Sequence, residues 1–191
     1  MATTHPIRSK QDIHELANYY LDRGELRNYV LIVLGIYTAL RISDLLRLSW
    51  EDVYDFKNGR VKASIEIVEK KTLKTTIIAL HREAIVALTL FASQAALYGR
   101  PLIENPKTKK AISRIHAYRL ICGAAEALAF KDRVSCHSLR KTLGYHAWKS
   151  GVSPAVIMEI YNHSSLAITR RYLGVTQDDK NTVYLELDFT V

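Results

Sequence analysis

The longest apolar stretch of the chain, residues 29–37, is hydrophobic nearly all round (Tyr29, Val30, Leu31, Ile32, Val33, Leu34, Ile36). A helix over residues 25–39 with that pattern is a central, buried one. Ahead of it, residues 9–23 predict a helix with Ser9 at the N-cap and Asp12 three residues on, broken by Gly24. Arg41 follows the buried helix directly, and Ser43 is expected to cap a short helix over residues 44–48. The pattern then changes period. Residues 53–56 and 60–68 read as strands joined by an Asn58-Gly59 turn, with alternation around Ile65 and Ile67. A second turn near residues 71–74 returns the chain along residues 75–80, so three antiparallel strands are expected.

Helical patterns resume over residues 81–98, ended by Gly99-Arg100-Pro101, and over residues 112–130 after a lysine-rich loop at 104–110. Residues 137–149 predict a further helix stopped at Gly151, and Ser153-Pro154 starts another. Ser164 or Ser165 is the expected N-cap of a last helix carrying Tyr172 near its far end. The expected class is mainly α with a small three-stranded antiparallel β-sheet, an α+β fold. No repeat, linker or low-complexity segment interrupts it.

Composition changes that picture at one point. The chain has 191 residues, 48% hydrophobic and 24% charged, values that suit one domain with a sizeable core. Its 27 Lys and Arg against 19 Asp and Glu give a net charge of +8, which points to a polyanionic partner, most simply nucleic acid. Two cysteines, Cys122 and Cys136, lack metal-ligand spacing and read as buried thiols in a reducing compartment. The polar opening does not resemble a signal peptide, and the longest apolar run is about half of a membrane span. A cytoplasmic protein is expected.

The chemistry-bearing residues concentrate in residues 137–172. His137 and Arg140, three apart on a helix, share a face. His163 precedes a Ser-Ser pair, and Tyr172 follows it by nine residues. Two histidines, an arginine and a tyrosine are a poor metal site but a good site for a phosphodiester. Guanidinium is a planar, permanently charged fork for non-bridging oxygens, and tyrosine is a nucleophile that needs no cofactor. Arg41, emerging at the end of the most buried helix, is a further candidate, against a purely structural ion pair with Asp44 or Glu51. Lys70, Lys71 and Lys74 crowd the second hairpin tip, where lysines otherwise serve solubility. Arg114 and Arg119, with Ser113, His116 and Tyr118, form a cluster that faces either a DNA backbone or solvent. His146, Trp50 and Trp148 read as core.

In order, Arg41 in TALRISDLLRLSW, Lys71 in EKKTLKTTIIAL, His137 and Arg140 in HSLRKTLGYHAW, and His163 and Tyr172 in IYNHSSLAITRRYLGV resemble the catalytic domain of the tyrosine recombinases, the phage-integrase family. The resemblance runs over roughly residues 8–175. The family's Gly-His-Ser motif appears as Asn162-His163-Ser164, a departure at the glycine. Its hairpin lysine matches Lys71 best, with Lys70 and Lys74 as rivals. Most of the family carries an N-terminal helical domain that closes a clamp on DNA. Because Arg41 arrives after only forty residues, the resemblance implies a lone catalytic domain over residues 1–191 with a tail at 173–191. In that it is similar to the fimbrial phase-variation invertases; a piece of a longer chain is the alternative.

The resemblance implies a site-specific DNA recombinase, integrase or invertase, working without metal, ATP or other cofactor. Arg41 and Arg140 would clamp the scissile phosphate, and Tyr172 would attack it to give a 3′-phosphotyrosine. His137 would act as base, His163 would donate a hydrogen bond, and Lys71 would protonate the leaving 5′-oxygen. Asp44 would orient Arg41 or a histidine from behind. Lys70, Lys74, Arg114, Arg119 and Lys141 are the expected DNA contacts. The implied partner is double-stranded DNA, bound by a homo-tetramer with possible help from DNA-bending proteins. Two other readings stay open: a DNA-binding regulator derived from a recombinase, and a topoisomerase IB-like nicking-closing enzyme.

Overall fold

The computed structural model describes residues 4–95, 98–175, 181 and 184–186. Its elements are α1 (Lys10–Leu21), α2 (Leu26–Tyr37), α3 (Ile42–Leu45), α4 (Trp50–Val53), β1 (Tyr54–Asp55), β2 (Arg60–Val61), β3 (Ser64–Val68), β4 (Thr75–Ala79), α5 (Arg82–Ala95), α6 (Arg114–Ala127), α7 (Cys136–Lys149), α8 (Pro154–Ile160) and α9 (Leu166–Leu173). Of the expected tail, residues 176–180, 182–183 and 187–191, with Asp178, Asp179, Val183, Leu187 and Phe189, lie outside the described residues.

Helix α2 is the axis. All nine residues from Asn28 to Ile36 are buried, and α1, α3, α5, α6 and α7 pack around them. Burying one Leu, Ile or Val contributes about 1.5–3 kcal/mol. The helix propensity lost at its β-branched positions is only a few tenths of that, so burial decides the conformation. Gly35 is the point of closest approach: a Cβ there would lie 2.7 Å from Leu139 Cδ1 of α7. The missing side chain lets α7 press against the end of α2, from which Arg41 emerges.

The caps predicted at Ser9, Ser153 and Ser165 are present, each hydroxyl accepting from a backbone N–H of the first turn. The short helix after Arg41 differs from expectation. It starts at Ile42 with Arg41 itself as N-cap residue, and the Arg41 carbonyl accepts from the Asp44 and Leu45 amides. Ser43 lies inside the first turn. An arginine at that junction leaves its backbone fixed by the helix while its side chain points away from it.

The expected three-stranded sheet is instead two separate two-stranded ladders, β1–β2 and β3–β4. The strand predicted over residues 60–68 changes partners halfway. Lys62 N still donates to Val53 O at 2.8 Å, but Ala63 O already accepts from Leu80 N at 2.8 Å. Along β3 the inward positions are Ile65 and Ile67, and the same period of two carries Glu69 inward as well.

A second, smaller core lies under the C-terminal elements: Ala39, Ile157, Tyr161 and Leu173, with Tyr172, Leu143 and Trp148 packed against it. It binds α8 and α9 to α7. Trp50 is fully buried in the main core, and His146 Nε2 pairs with the Ile7 carbonyl. Both cysteines are free and half-buried; burial, then the neighbouring Cys122, pushes the Cys136 thiol up to about 11. Among the described residues no helix is long and apolar enough to cross a membrane.

Candidate active site

Tyr161 holds the site together from below. Its ring is buried in the small core, its hydroxyl donates to Arg140 O at 2.7 Å and accepts from Gly144 N at 2.8 Å. Gly144 is what lets the ring in, since a Cβ there would overlap it. Burial drives the Tyr161 phenol well above its ordinary value, so this hydroxyl is structural. What Tyr161 offers to the site is its carbonyl.

Two guanidinium groups converge on that carbonyl. Arg140 Nη2 donates to Tyr161 O at 2.8 Å, and Arg41 Nη2 reaches it at 3.4 Å. Arg140 also donates through Nη1 to Ala39 O, at the residue whose positive φ of 51° turns the chain out of α2. Its guanidinium lies 4.8 Å from the centre of the Tyr161 ring, and its Nε is buried without a partner among the described residues. Two fixed forks side by side, with donors still unspent, form a receptor for a planar or tetrahedral oxyanion.

Arg41 is not balanced by Asp44 or Glu51. Its Nη1 pairs with Glu69 Oε2 at 2.6 Å. Asp44, fully buried, accepts from the Lys70 amide at 2.9 Å and lies 3.8 Å from Arg47 Nη1. It therefore anchors the β3–β4 hairpin, and among the described residues its carboxylate makes no hydrogen bond to Arg41 or to a histidine. Lys70, Lys71 and Lys74 are exposed in the turn of that hairpin. The Lys71 charge contributes to lowering both His137 and His163.

The histidines and Tyr172 complete the cluster. The His163 ring meets the Tyr172 ring edge-on at 4.5 Å, and His137 reaches Tyr172 at 6.5 Å from the other helix. Burial, then Arg140, Arg41 and Lys71, pulls His163 down to about 4. The same causes, burial first and then Lys141, Arg140, Arg41 and Lys71, lower His137. Both are neutral near pH 7. His163 Nδ1 lies 3.1 Å from the hydroxyl of Thr169, which is fully buried. A hydroxyl serves either neutral tautomer. The Thr169 hydroxyl also donates to Ser165 O at 3.4 Å, so for His163 to present Nε2–H to a phosphate that proton must turn to Nδ1.

The remaining sequence candidates fall into two groups. Lys141, expected to contact DNA, is buried instead: its ammonium donates to Thr4 O at 2.6 Å and sits 5.3 Å from the Tyr172 ring centre. The N-terminal segment, held also by Ile7 N on Thr142 Oγ1, covers it. Arg114 and Arg119 are exposed at the start of α6, outside the cluster. Sequence reasoning missed Glu69, Tyr161 and Thr169. Only Glu69 carried a signal, as the inward-facing successor to Ile65 and Ile67.

Residues 9–178 match the family described as the phage integrase family. A probable integrase/recombinase, YoeC of Bacillus subtilis (strain 168), is 36% identical over 184 residues, covering 96% of this chain and 97% of that protein. A tyrosine recombinase of Pseudothermotoga lettingae is 28% identical over 156 residues, covering 81% of this chain but 51% of that protein. The chain thus spans nearly all of the first relative and about half of the second. Among solved structures, XerA recombinase superposes with a TM-score of 0.77 at 19% identity, covering 96% of this chain and 66% of that one. Lambda integrase (residues 75–356) bound to DNA gives 0.68 at 17% identity, covering 100% and 65%.

Proposed function

The chain belongs to the phage integrase family, and from that premise we propose that it is a tyrosine-type site-specific recombinase acting on double-stranded DNA. The observation that carries the reading is the meeting of Arg41 and Arg140 at one carbonyl, beside a phenol flanked by two neutral histidines. The net charge of +8 supports a polyanionic substrate.

In the mechanism we infer, the two guanidinium groups bind the non-bridging oxygens of the scissile phosphate and stabilise charge as it builds there. A free phenol ionises near pH 10, so Tyr172 needs a base. His137, neutral near pH 7, takes its proton as the phenolate oxygen attacks phosphorus. The P–O5′ bond breaks, Lys71 delivers a proton to the leaving oxygen, and the strand remains as a 3′-phosphotyrosine. Attack by a 5′-hydroxyl from another duplex reverses each proton transfer and completes strand exchange. His163 donates through Nε2 when Thr169 donates to Nδ1.

We take the assembly on DNA to be a homo-tetramer in which the C-terminal tail of each copy docks on a neighbour. Tyr184 and Leu185, exposed in a helical turn, support that reading. Truncation after Val175 is expected to abolish ordered synaptic complexes.

A duplex nicked beside the cleavage position tests the central claim, because the short cleaved fragment diffuses away and traps the adduct. A covalent protein–DNA species is expected with the natural chain and none with Tyr172→Phe. Supercoil relaxation without recombinants between two target sites would overturn the recombinase assignment in favour of a nicking-closing enzyme.

A further inference from the structure

We propose that Glu69 is a positioning residue for strand cleavage: its buried carboxylate aims the Arg41 guanidinium and locks the Lys71 hairpin and the His163 loop to it. The proposal rests on the reading of Arg41 as part of the phosphate clamp. Glu69 is 1% exposed, at the end of β3, where the alternation of Ile65 and Ile67 turns it inward. A carboxylate in that position needs partners, and it has three, each from a different part of the site. Arg41 Nη1 is 2.6 Å from Oε2, and the Thr72 hydroxyl, next to Lys71 in the turn, donates to the same oxygen at 2.9 Å. Asn162, immediately before His163, also hydrogen-bonds the carboxylate, and donates to Thr76 Oγ1 of β4 at 3.2 Å.

Burial by itself would raise the Glu69 carboxyl. The hydrogen bonds from Thr72, Asn162 and Arg41, with the Arg41 charge, outweigh it, and the group titrates below the usual glutamate value. It is an anion near pH 7. Asn162 adopts a φ of 51°, a left-handed conformation that asparagine tolerates and that a glycine also fits. Asparagine there does what glycine cannot: its amide joins the His163 loop to Glu69.

An anion one hydrogen bond from Arg41 has a defined effect. It fixes which edge of the fork faces outward, since Nη1 is occupied and Nη2 is turned toward Tyr161 O. The phosphate then meets a guanidinium already in place rather than one that must be ordered during the reaction.

The test is single-turnover cleavage of the nicked duplex at saturating DNA, with the natural 5′-oxygen and with a bridging 5′-sulfur that leaves without protonation. Glu69→Gln keeps the size and hydrogen bonds toward Thr72 while removing the charge beside Arg41. It is expected to lower the rate constant about ten- to a hundredfold with oxygen and sulfur alike. Duplex affinity and the amplitude of the cleavage burst should stay as in the natural chain. Glu69→Ala is expected to lose at least as much; where it fails to fold, Glu69→Gln alone decides.

Rescue of Glu69→Gln by sulfur would place the whole effect on proton delivery by Lys71 and overturn the claim that Glu69 aims Arg41. So would a natural rate, or a reduced amplitude at natural rate, which marks a merely structural carboxylate. The control separates the two claims. An adduct that forms in the natural chain, is lost in Tyr172→Phe and is unaffected by Glu69→Gln sinks this inference and leaves the recombinase reading standing. No adduct in the natural chain sinks both.

Discussion

Arg41 and Arg140, ninety-nine positions apart in sequence, donate to the same oxygen, the carbonyl of Tyr161, at 3.4 and 2.8 Å. Two cations this close repel, and each is offset differently: Arg41 by the Glu69 carboxylate, Arg140 by two carbonyls and the face of the Tyr161 ring. A phosphodiester adds the one negative charge that both can share.

Removing either fork is therefore expected to abolish adduct formation while leaving duplex binding largely intact, read by gel shift alongside the nicked-duplex assay. The two variants should differ in stability. Arg140→Ala strips buried donors from Ala39 O and Tyr161 O, each costing about 1–3 kcal/mol. Arg41 is partly exposed. Thermal denaturation should show the larger loss in Arg140→Ala.

The lowered histidines make a pH prediction with a definite sign. His163 titrates near 4 in the folded chain against an ordinary 6.5. The unfolded chain thus takes up the proton more readily. The stability contributed is complete above pH about 6.5 and is lost as pH falls from there toward 4. Urea midpoints should drop over that window, and His163→Gln should remove the larger share of the drop. His137, lowered in the same direction, contributes to the drop as well.

Lys71 is exposed at a hairpin tip, and its ammonium makes no hydrogen bond or ion pair among the described residues, as suits a group that delivers a proton and withdraws. Lys71→Ala is expected to slow cleavage of the oxygen substrate about 10²–10⁴-fold. Most of that rate should return with a bridging 5′-sulfur, whose thiolate leaves unprotonated. Lys70→Ala and Lys74→Ala should cleave both substrates at similar rates, identifying which of the three lysines acts.

Gly144 tests the foundation. A Cβ there would fall 2.7 Å from Tyr161 Cε2, in a ring that is fully buried. Gly144→Ala should cost about 1–3 kcal/mol through overpacking, several degrees in a chain of this size. Because the displaced residue also carries the shared main-chain carbonyl, cleavage should slow more than the melting temperature alone accounts for.

How far the sequence went depends on what kind of group does each job. Helices α2, α7, α8 and α9 were legible from burial pattern and caps, and the side chains that meet at Tyr172 from their order along the chain. Tyr161 was not legible, because its part is played by a carbonyl that every residue possesses. Lys141 misled for a related reason. Its neighbour Arg140 faces the clamp, but one step along a helix turns the side chain about 100°, here under an N-terminal segment 137 positions away. The divided sheet was hidden because residues 60–68 carry a strand-like sequence pattern across the break at 62–63. Glu69, not Asp44, pairs with Arg41; both are buried acids, and only the inward phase of β3 marks Glu69.

The break between the two ladders has a mechanical consequence. Residues 62 and 63 end one pairing and begin another, so the Asn58-Gly59 loop belongs to a ladder that shares no rung with β3 and β4. A change of length or charge at that loop therefore has no shared rung through which to shift the hairpin that carries Lys71.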